Sequence, residues 1–544
     1  LLWGIRLPPT DVPAAAEMVF GQALVEAGWP GTPPALRVDA QTRVLAVVLL
    51  GIPAAASLAS WAESGLLPLG GSGLLVRGEQ ARFVDPRVAG RASRMAALGA
   101  ALLLLFAGDW ATLALAWVAC DLFLLYARLG AGSAEGERLP ETRWTAVLSL
   151  AGAICLGWLA VLNPGGGEPP SALVSGLALA AMALRLLPWP LPAWPLPFAQ
   201  RHALWARILS FLVPTLLAAH LCSQLAPWVW SAELEESGRW VAAMRGPLLA
   251  AWAAVALLVS AFKAWSAREP GDLIACTSVY GVGLIAMGCA LNLPLSWLRL
   301  AGAGIVLNVC ALHVSWTMCP YLDADDPRTW WRVAPVGLAL LSLGGMPLTV
   351  GFAVQASLYS GLLAEGYWWA LLLLIAAEAG VLAALLRVLL DVECVMPAIE
   401  GFMGEIPTAP HRRAWQRGLA YGAGVALALG ILCLGILPSL LGAPGLGRWF
   451  GVLPLAAWAA LLLPVAGAVL LYREQERIMA WMEDWAPVIE RLLDLRWLYR
   501  GIERALQAVG AIIWNGSLVI EGAGYMAWVT LFGLVMLLLV LATR

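Results

Sequence analysis

Six ionisable side chains lie in stretches that are otherwise apolar: Asp121, Arg185, Arg207, Lys263, His313 and Glu378. If those stretches cross a membrane, each is costly there and becomes a candidate for proton or ion chemistry. The types differ in what they offer. A carboxylate or an imidazole takes up and releases protons, and a buried lysine does so too. Arginine titrates above about pH 12 and supplies a fixed positive charge. Asp121 with Arg185 reads as a carboxylate held ionised by a permanent cation, in a relay or in a structural ion pair. Glu378 sits mid-run among apolar residues and reads as a proton site or as a contact with a neighbouring subunit. Lys263 lies near the end of its run, where its long stem reaches the interface. His313 is a relay candidate or a hydrogen-bonded packing histidine. Arg268, Glu269 and Asp272 fall at a turn and read as solvated.

A second kind of candidate is made by backbone. Residues 341–352 read LSLGGMPLTVGF. Gly344, Gly345, Pro347 and Gly351 cluster where a span should be continuous, and Gln355 follows one turn later. Proline removes a backbone donor and clashes with the preceding turn, so the helix should break here. Carbonyls freed inside a membrane need protein or water as partners. Broken helices near the midplane are the recurring device of ion transporters. The Pro-rich stretch 188–197, PWPLPAWPLP, is a second interruption.

Several chemistries find no support. The nine cysteines stand singly, at 120, 155, 222, 276, 289, 310, 319, 394 and 433, without metal-ligand spacing. No Gly-rich phosphate loop and no Ser/His/Asp set is visible. We therefore expect no catalytic residue, no metal and no cofactor in this chain. Net charge is −2 and Lys263 is the single lysine, so no basic tract points to nucleic acid.

The elements that must carry these residues are membrane helices. Hydrophobic residues make up 61% of 544 and charged residues 12%, against about 25% charge in soluble domains. A spanning helix needs about 20 mostly apolar residues. Runs of this kind fall at roughly 42–61, 94–108, 110–129, 144–162, 171–187, 203–225, 247–266, 272–291, 296–318, 333–361, 367–390, 416–439, 451–472 and 523–542. The expected fold is all-α, polytopic, with about 14 transmembrane helices. Residues 1–36 and 63–93 read as loops or short surface elements, and 320–332 as an acidic loop. In 473–520 charges recur among Trp, Leu and Ile at helical spacing, which reads as an amphipathic helix on the membrane surface or along neighbouring subunits.

With these residues in view, the sequence resembles a family: the antiporter-like membrane subunits of respiratory complex I, shared with Mrp-type sodium/proton antiporters and membrane-bound hydrogenases. Residues 341–352 resemble its broken late helix, LSLAGxPPxxGF. Residues 190–197, PLPAWPLP, resemble its PLHxWLP element. Residues 272–283, DLIACTSVYGVG, resemble its DLKRLLAYSSxxHxG helix start. Residues 106–126 resemble its fifth helix, and 38–43, VDAQTR, the start of an early helix. The likeness covers about 38–392, and its elements come in the family's order.

The resemblance implies two inverted five-helix repeats, each with one broken helix, and a water-and-charge chain across the membrane centre. Residue by residue, few of the charges carry over. The family's glutamate follows a Trp directly; here Val118 follows Trp117, and Asp121 lies one turn further on. The family's lysine before the PLHxWLP element falls on Arg185. The His or Lys of the next helix falls on Ser210, with Arg207 a turn earlier. The Lys or Glu after the late break falls on Gln355, and the His of SSxxHxG on Gly281. A central lysine has His313 as its nearest substitute. The relay is thus expected to be partly degenerate.

The expected organisation is an N-terminal extramembrane segment (1–36), an antiporter-like transmembrane core (37–440), a further transmembrane helix (441–472), the amphipathic helix (473–520) and a C-terminal transmembrane helix (521–544). The resemblance implies a subunit of a redox-driven, proton-translocating complex of the NADH:quinone oxidoreductase or hydrogenase type, multi-pass in a bacterial inner membrane. Its partners would be other membrane subunits, the lipid bilayer and protons, or sodium. Two alternatives stay open: a non-conducting scaffold of such a complex, and the membrane subunit of an inorganic-carbon uptake system with a soluble zinc-containing partner.

Overall fold

The computed structural model describes residues 16–19, 35–64, 86–131, 139–162, 172–186, 204–230, 239–267, 270–316, 333–390, 410–445 and 455–478, with isolated positions between 480 and 511. The chain divides into two compact units, Leu1–Gln475 and Glu476–Arg544. The stretch 188–197, the acidic loop 320–332 and the span 523–542 lie outside the described residues, as does most of 473–520.

The first unit begins with two short antiparallel strands, β1 (Ala16–Val19) and β2 (Ala35–Val38). The rest of its described residues are helical apart from short connections: α1 (Ala40–Ser64), α2 (Pro86–Leu105), α3 (Trp110–Ala131), α4 (Leu139–Leu162), α5 (Ala172–Leu186), α6 (Leu204–Val229), α7 (Arg239–Ser266), α8 (Pro270–Ala290), α9 (Leu295–Trp316), α10 (Ala334–Leu343), α11 (Val350–Ala364), α12 (Trp368–Leu390), α13 (Pro410–Ile436), a 3₁₀ turn (Pro438–Leu441) and α14 (Leu455–Arg473). The molecule is a polytopic all-α membrane protein. Among the described residues α1, α7, α8, α9, α12 and α13 are long and apolar enough to cross a bilayer, and the other helices carry shorter apolar stretches.

Local chemistry sets several starts. Asp39 caps α1: its carboxylate accepts from the Thr42 amide at 2.6 Å, while Thr42 Oγ1 accepts from the Asp39 amide at 3.0 Å. This reciprocal pair satisfies donors that a helix N-terminus leaves orphaned. Asp109 caps α3 through the Thr112 amide at 2.8 Å. Helices α2, α7 and α13 begin six to eight residues before the apolar runs that marked them, at Pro86, Arg239 and Pro410. Backbone bonding continues past the hydrocarbon edge, where Arg and Pro are tolerated, so hydropathy alone places these starts late.

At the centre lie α8, buried along its whole apolar length, and α9, nearly so. Here helices approach closely at small residues, as membrane helices do. A Cβ on Gly288 would stand 1.8 Å from the Trp297 ring, and one on Gly302 would stand 2.3 Å from Ala219 Cβ of α6. Helix α12 packs against α7, α14, α11 and α8.

Candidate functional site

The expected span 333–361 is two helices. Helix α10 stops at Leu343 and α11 starts at Val350. Their 10 and 15 residues correspond to about 15 Å and about 22 Å. Neither is long enough to cross a core of about 30 Å alone.

The sequence builds this break residue by residue. Gly345 has φ +67°, the left-handed conformation that glycine adopts without strain. Its amide bonds to Ser342 O at 3.1 Å and the Met346 amide bonds to Leu341 O at 2.9 Å, the paired bonds of a Schellman cap. Pro347 follows and prevents resumption. Leu348 is also left-handed, at φ +71°, an unfavourable conformation for a branched residue. Thr349 is extended and α11 begins beyond it. Gly351 allows the second helix to start against the end of the first, since a Cβ there would stand 1.6 Å from Ser342 O. Its amide instead takes Ser342 Oγ at 3.2 Å.

The carbonyl of Leu343, freed by the break, is taken by the side-chain amide of Gln355, one turn into α11. The same nitrogen donates to Glu378 Oε1 on α12 at 2.8 Å. Both partners are acceptors, which fixes the orientation of the amide. Its oxygen, turned towards Gly345, is buried and has no partner among the described residues. The hydroxyl of Tyr359, four residues after Gln355 and on the same face of α11, donates to Glu378 Oε2. Both carboxylate oxygens are therefore occupied, and Glu378 is 1% exposed. Tyr280 of α8 lies beside the same carboxylate electrostatically. Its buried hydroxyl makes no hydrogen bond within bonding geometry to any described residue. Trp297 braces the group: its indole donates to Val354 O at 2.9 Å, next to Gln355.

The structure thus brings together Glu378, Gln355, Gly344, Gly345, Pro347 and Gly351 in one place. The other sequence candidates lie elsewhere. Asp121 is half-buried on α3, with exposed Leu122 and Tyr126 nearby. Arg185 and Arg207 occupy helical positions on α5 and α6, and their side chains lie outside the described residues. Helices α3 and α5 converge on α4 at Gly152, where a Cβ would meet the Trp117 ring at 3.0 Å and Leu184 Cβ at 3.7 Å. Trp117 is one turn before Asp121 and Leu184 is next to Arg185. Lys263 is exposed in the last turn of α7 and His313 is buried in the last turn of α9.

Sequence reasoning missed four residues. Tyr280 and Tyr359 carry no formal charge and so do not stand out in apolar runs, although the four-residue spacing from Gln355 to Tyr359 is readable in the sequence. Arg299 of α9 is buried and donates to the Gln41 side chain at the start of α1. His220 of α6 is 1% exposed, lies in the field of Arg299 and Asp39, and has neither ring nitrogen bonded among the described residues. Its sequence signal was a histidine in the apolar run LLAAHLC. No group of three or more His, Cys, Asp or Glu that could hold a metal exists among the described residues.

Comparison with protein-family models and with curated proteins yields no match. Solved structures do match in fold. A chain of the Mrp complex from Dietzia sp. DQ12-45-1b superposes with a TM-score of 0.66 at 18% identity, over 98% of this chain and 58% of that one. This chain therefore spans little more than half the length of that relative. A chain of the membrane-bound sulfane sulfur reductase, an archaeal respiratory membrane complex, superposes with a TM-score of 0.57 at 15% identity, over 97% and 92%. The chain shares its fold with membrane subunits of such complexes.

Proposed function

We propose that this chain is an antiporter-like membrane subunit of a multi-subunit ion-translocating complex, with Glu378 as its central protonation site. One observation carries the reading: a buried carboxylate, with both oxygens hydrogen-bonded, joined through Gln355 to the Leu343 carbonyl where the chain breaks between α10 and α11. An isolated buried carboxylate is very costly, and donors to both oxygens make it tolerable. Such a group holds or releases a proton without leaving the site. Because Gln355 reaches both the carboxylate and the break, a change of charge on Glu378 acts on the hinge between α10 and α11.

Asp121 and Arg185 form the second part of the proposal, a carboxylate kept ionised by a fixed cation. The convergence of α3 and α5 at Gly152 supports it. The likeness to chains of the Mrp and sulfane sulfur reductase complexes supports other membrane subunits as partners; protons or sodium as the ion and a redox reaction in those subunits are part of the proposal. A non-conducting scaffold is the second reading. It is favoured by Gln355, a neutral residue where the resembling family carries Lys or Glu.

The test is proton flux by the purified assembly in liposomes under an imposed gradient. Asp121→Asn is expected to lower the rate severalfold with all subunits still present. Wild-type rates in that variant would remove the Asp121–Arg185 arm, and absence of flux in the unmodified assembly would favour the scaffold.

A further inference from the structure

Besides the Gln355 oxygen, the hydroxyl of Tyr280 is a buried polar group at this site without a hydrogen bond among the described residues. It is buried on the central helix α8, beside Glu378 and near Tyr359. The two bonded partners are matched to one state of the carboxyl. Gln355 presents an NH₂, which only donates, and its oxygen is turned to Gly345. Tyr359 already donates to Oε2. An ionised Glu378 accepts both bonds. A protonated Glu378 acquires an O–H: on Oε2 the Tyr359 oxygen can accept it, but the Tyr359 O–H then loses its acceptor, and on Oε1 the NH₂ of Gln355 supplies none, so one donor is left over either way. A phenol does both: its O–H donates to a carboxylate and its lone pair accepts from a carboxylic acid.

We infer that Tyr280 is a positioning residue for ion translocation, a hydroxyl that turns to accept the hydrogen bond of protonated Glu378 and to donate to the ionised form. The inference rests on the reading of Glu378 as the protonation site. It requires no chemistry beyond one proton binding to and leaving a carboxyl oxygen. One turn earlier on α8, buried Thr277 donates to Leu273 O at 2.9 Å. The face that carries Tyr280 is therefore polar for more than one turn.

The experiment is infrared difference spectroscopy of the full purified assembly through a pH titration, with flux measured in parallel. Loss of the carboxylic acid C=O band in Glu378→Gln identifies that band. In Tyr280→Phe it moves to higher wavenumber, because its hydrogen-bond partner is gone, and flux falls about tenfold or more. Site-specific 3-fluorotyrosine at 280 keeps ring and hydroxyl and shifts the same band, should the Phe variant fail to assemble. A band unmoved by either replacement overturns the role of Tyr280. The two readings fail separately: unchanged flux in Glu378→Gln sinks the proposed function, whereas an unmoved band sinks the assignment of Tyr280.

Discussion

At the scale of residues, the site depends on donors matched to one buried charge. Removing a partner from a buried charged group costs about 1–3 kcal/mol or more, whereas removing both sides together costs far less. Tyr359→Phe should therefore destabilise the chain by about 2 kcal/mol in thermal unfolding of the detergent-solubilised protein. In a Glu378→Leu background the same change should cost under about 0.5 kcal/mol, since no carboxylate is left to orphan. Equal costs in both backgrounds would mean that the hydroxyl does not serve Glu378. At this scale the sequence was only partly readable. Glu378 and Gln355 stood out, one as a charge in an apolar run and the other beside a helix-breaking cluster. Their junction did not, because it joins residues 23 apart on two helices and rotation about each helix axis is set by packing. The same holds for Arg299 with Gln41, which are 258 apart.

At the scale of elements, the interruption between α10 and α11 was legible because Gly and Pro act locally. Gly345 provides the left-handed cap, Pro347 forbids continuation and Gly351 admits the close restart. Helix starts were less legible, since α7 and α13 extend into charged sequence that hydropathy reads as loop. Gly351→Ala should be severe. Its methyl would collide with the Ser342 backbone, which has no side-chain freedom to yield, and overpacking of this kind costs about 1–3 kcal/mol. A lowered unfolding temperature together with lost flux is expected, and an unaffected variant would show that the break relaxes freely. Gly345→Ala should act on function more than Gly351→Ala does for equal loss of stability, because its methyl would stand 2.0 Å from Gln355 Oε1 and displace the amide. A variant with the flux of the wild type would separate Gln355 from the hinge.

At the scale of the whole molecule, a lipid environment followed from composition, since a chain with so little charge cannot cover itself in water, and the polytopic all-α architecture from the length and number of its apolar runs. The likeness to chains of the Mrp complex and of a respiratory membrane complex then fixes the fold and leaves the chemistry to the residues. Among the described residues these include a buried glutamate on α12 and a neutral glutamine beside the break. The proposed ion translocation therefore turns on Glu378. The most direct measurement is proton flux through the reconstituted full assembly with Glu378→Gln, which keeps shape and removes the titratable group. The predicted result is a loss of about 10²-fold or more with every subunit retained. Flux at the wild-type rate in an intact Glu378→Gln assembly would contradict it.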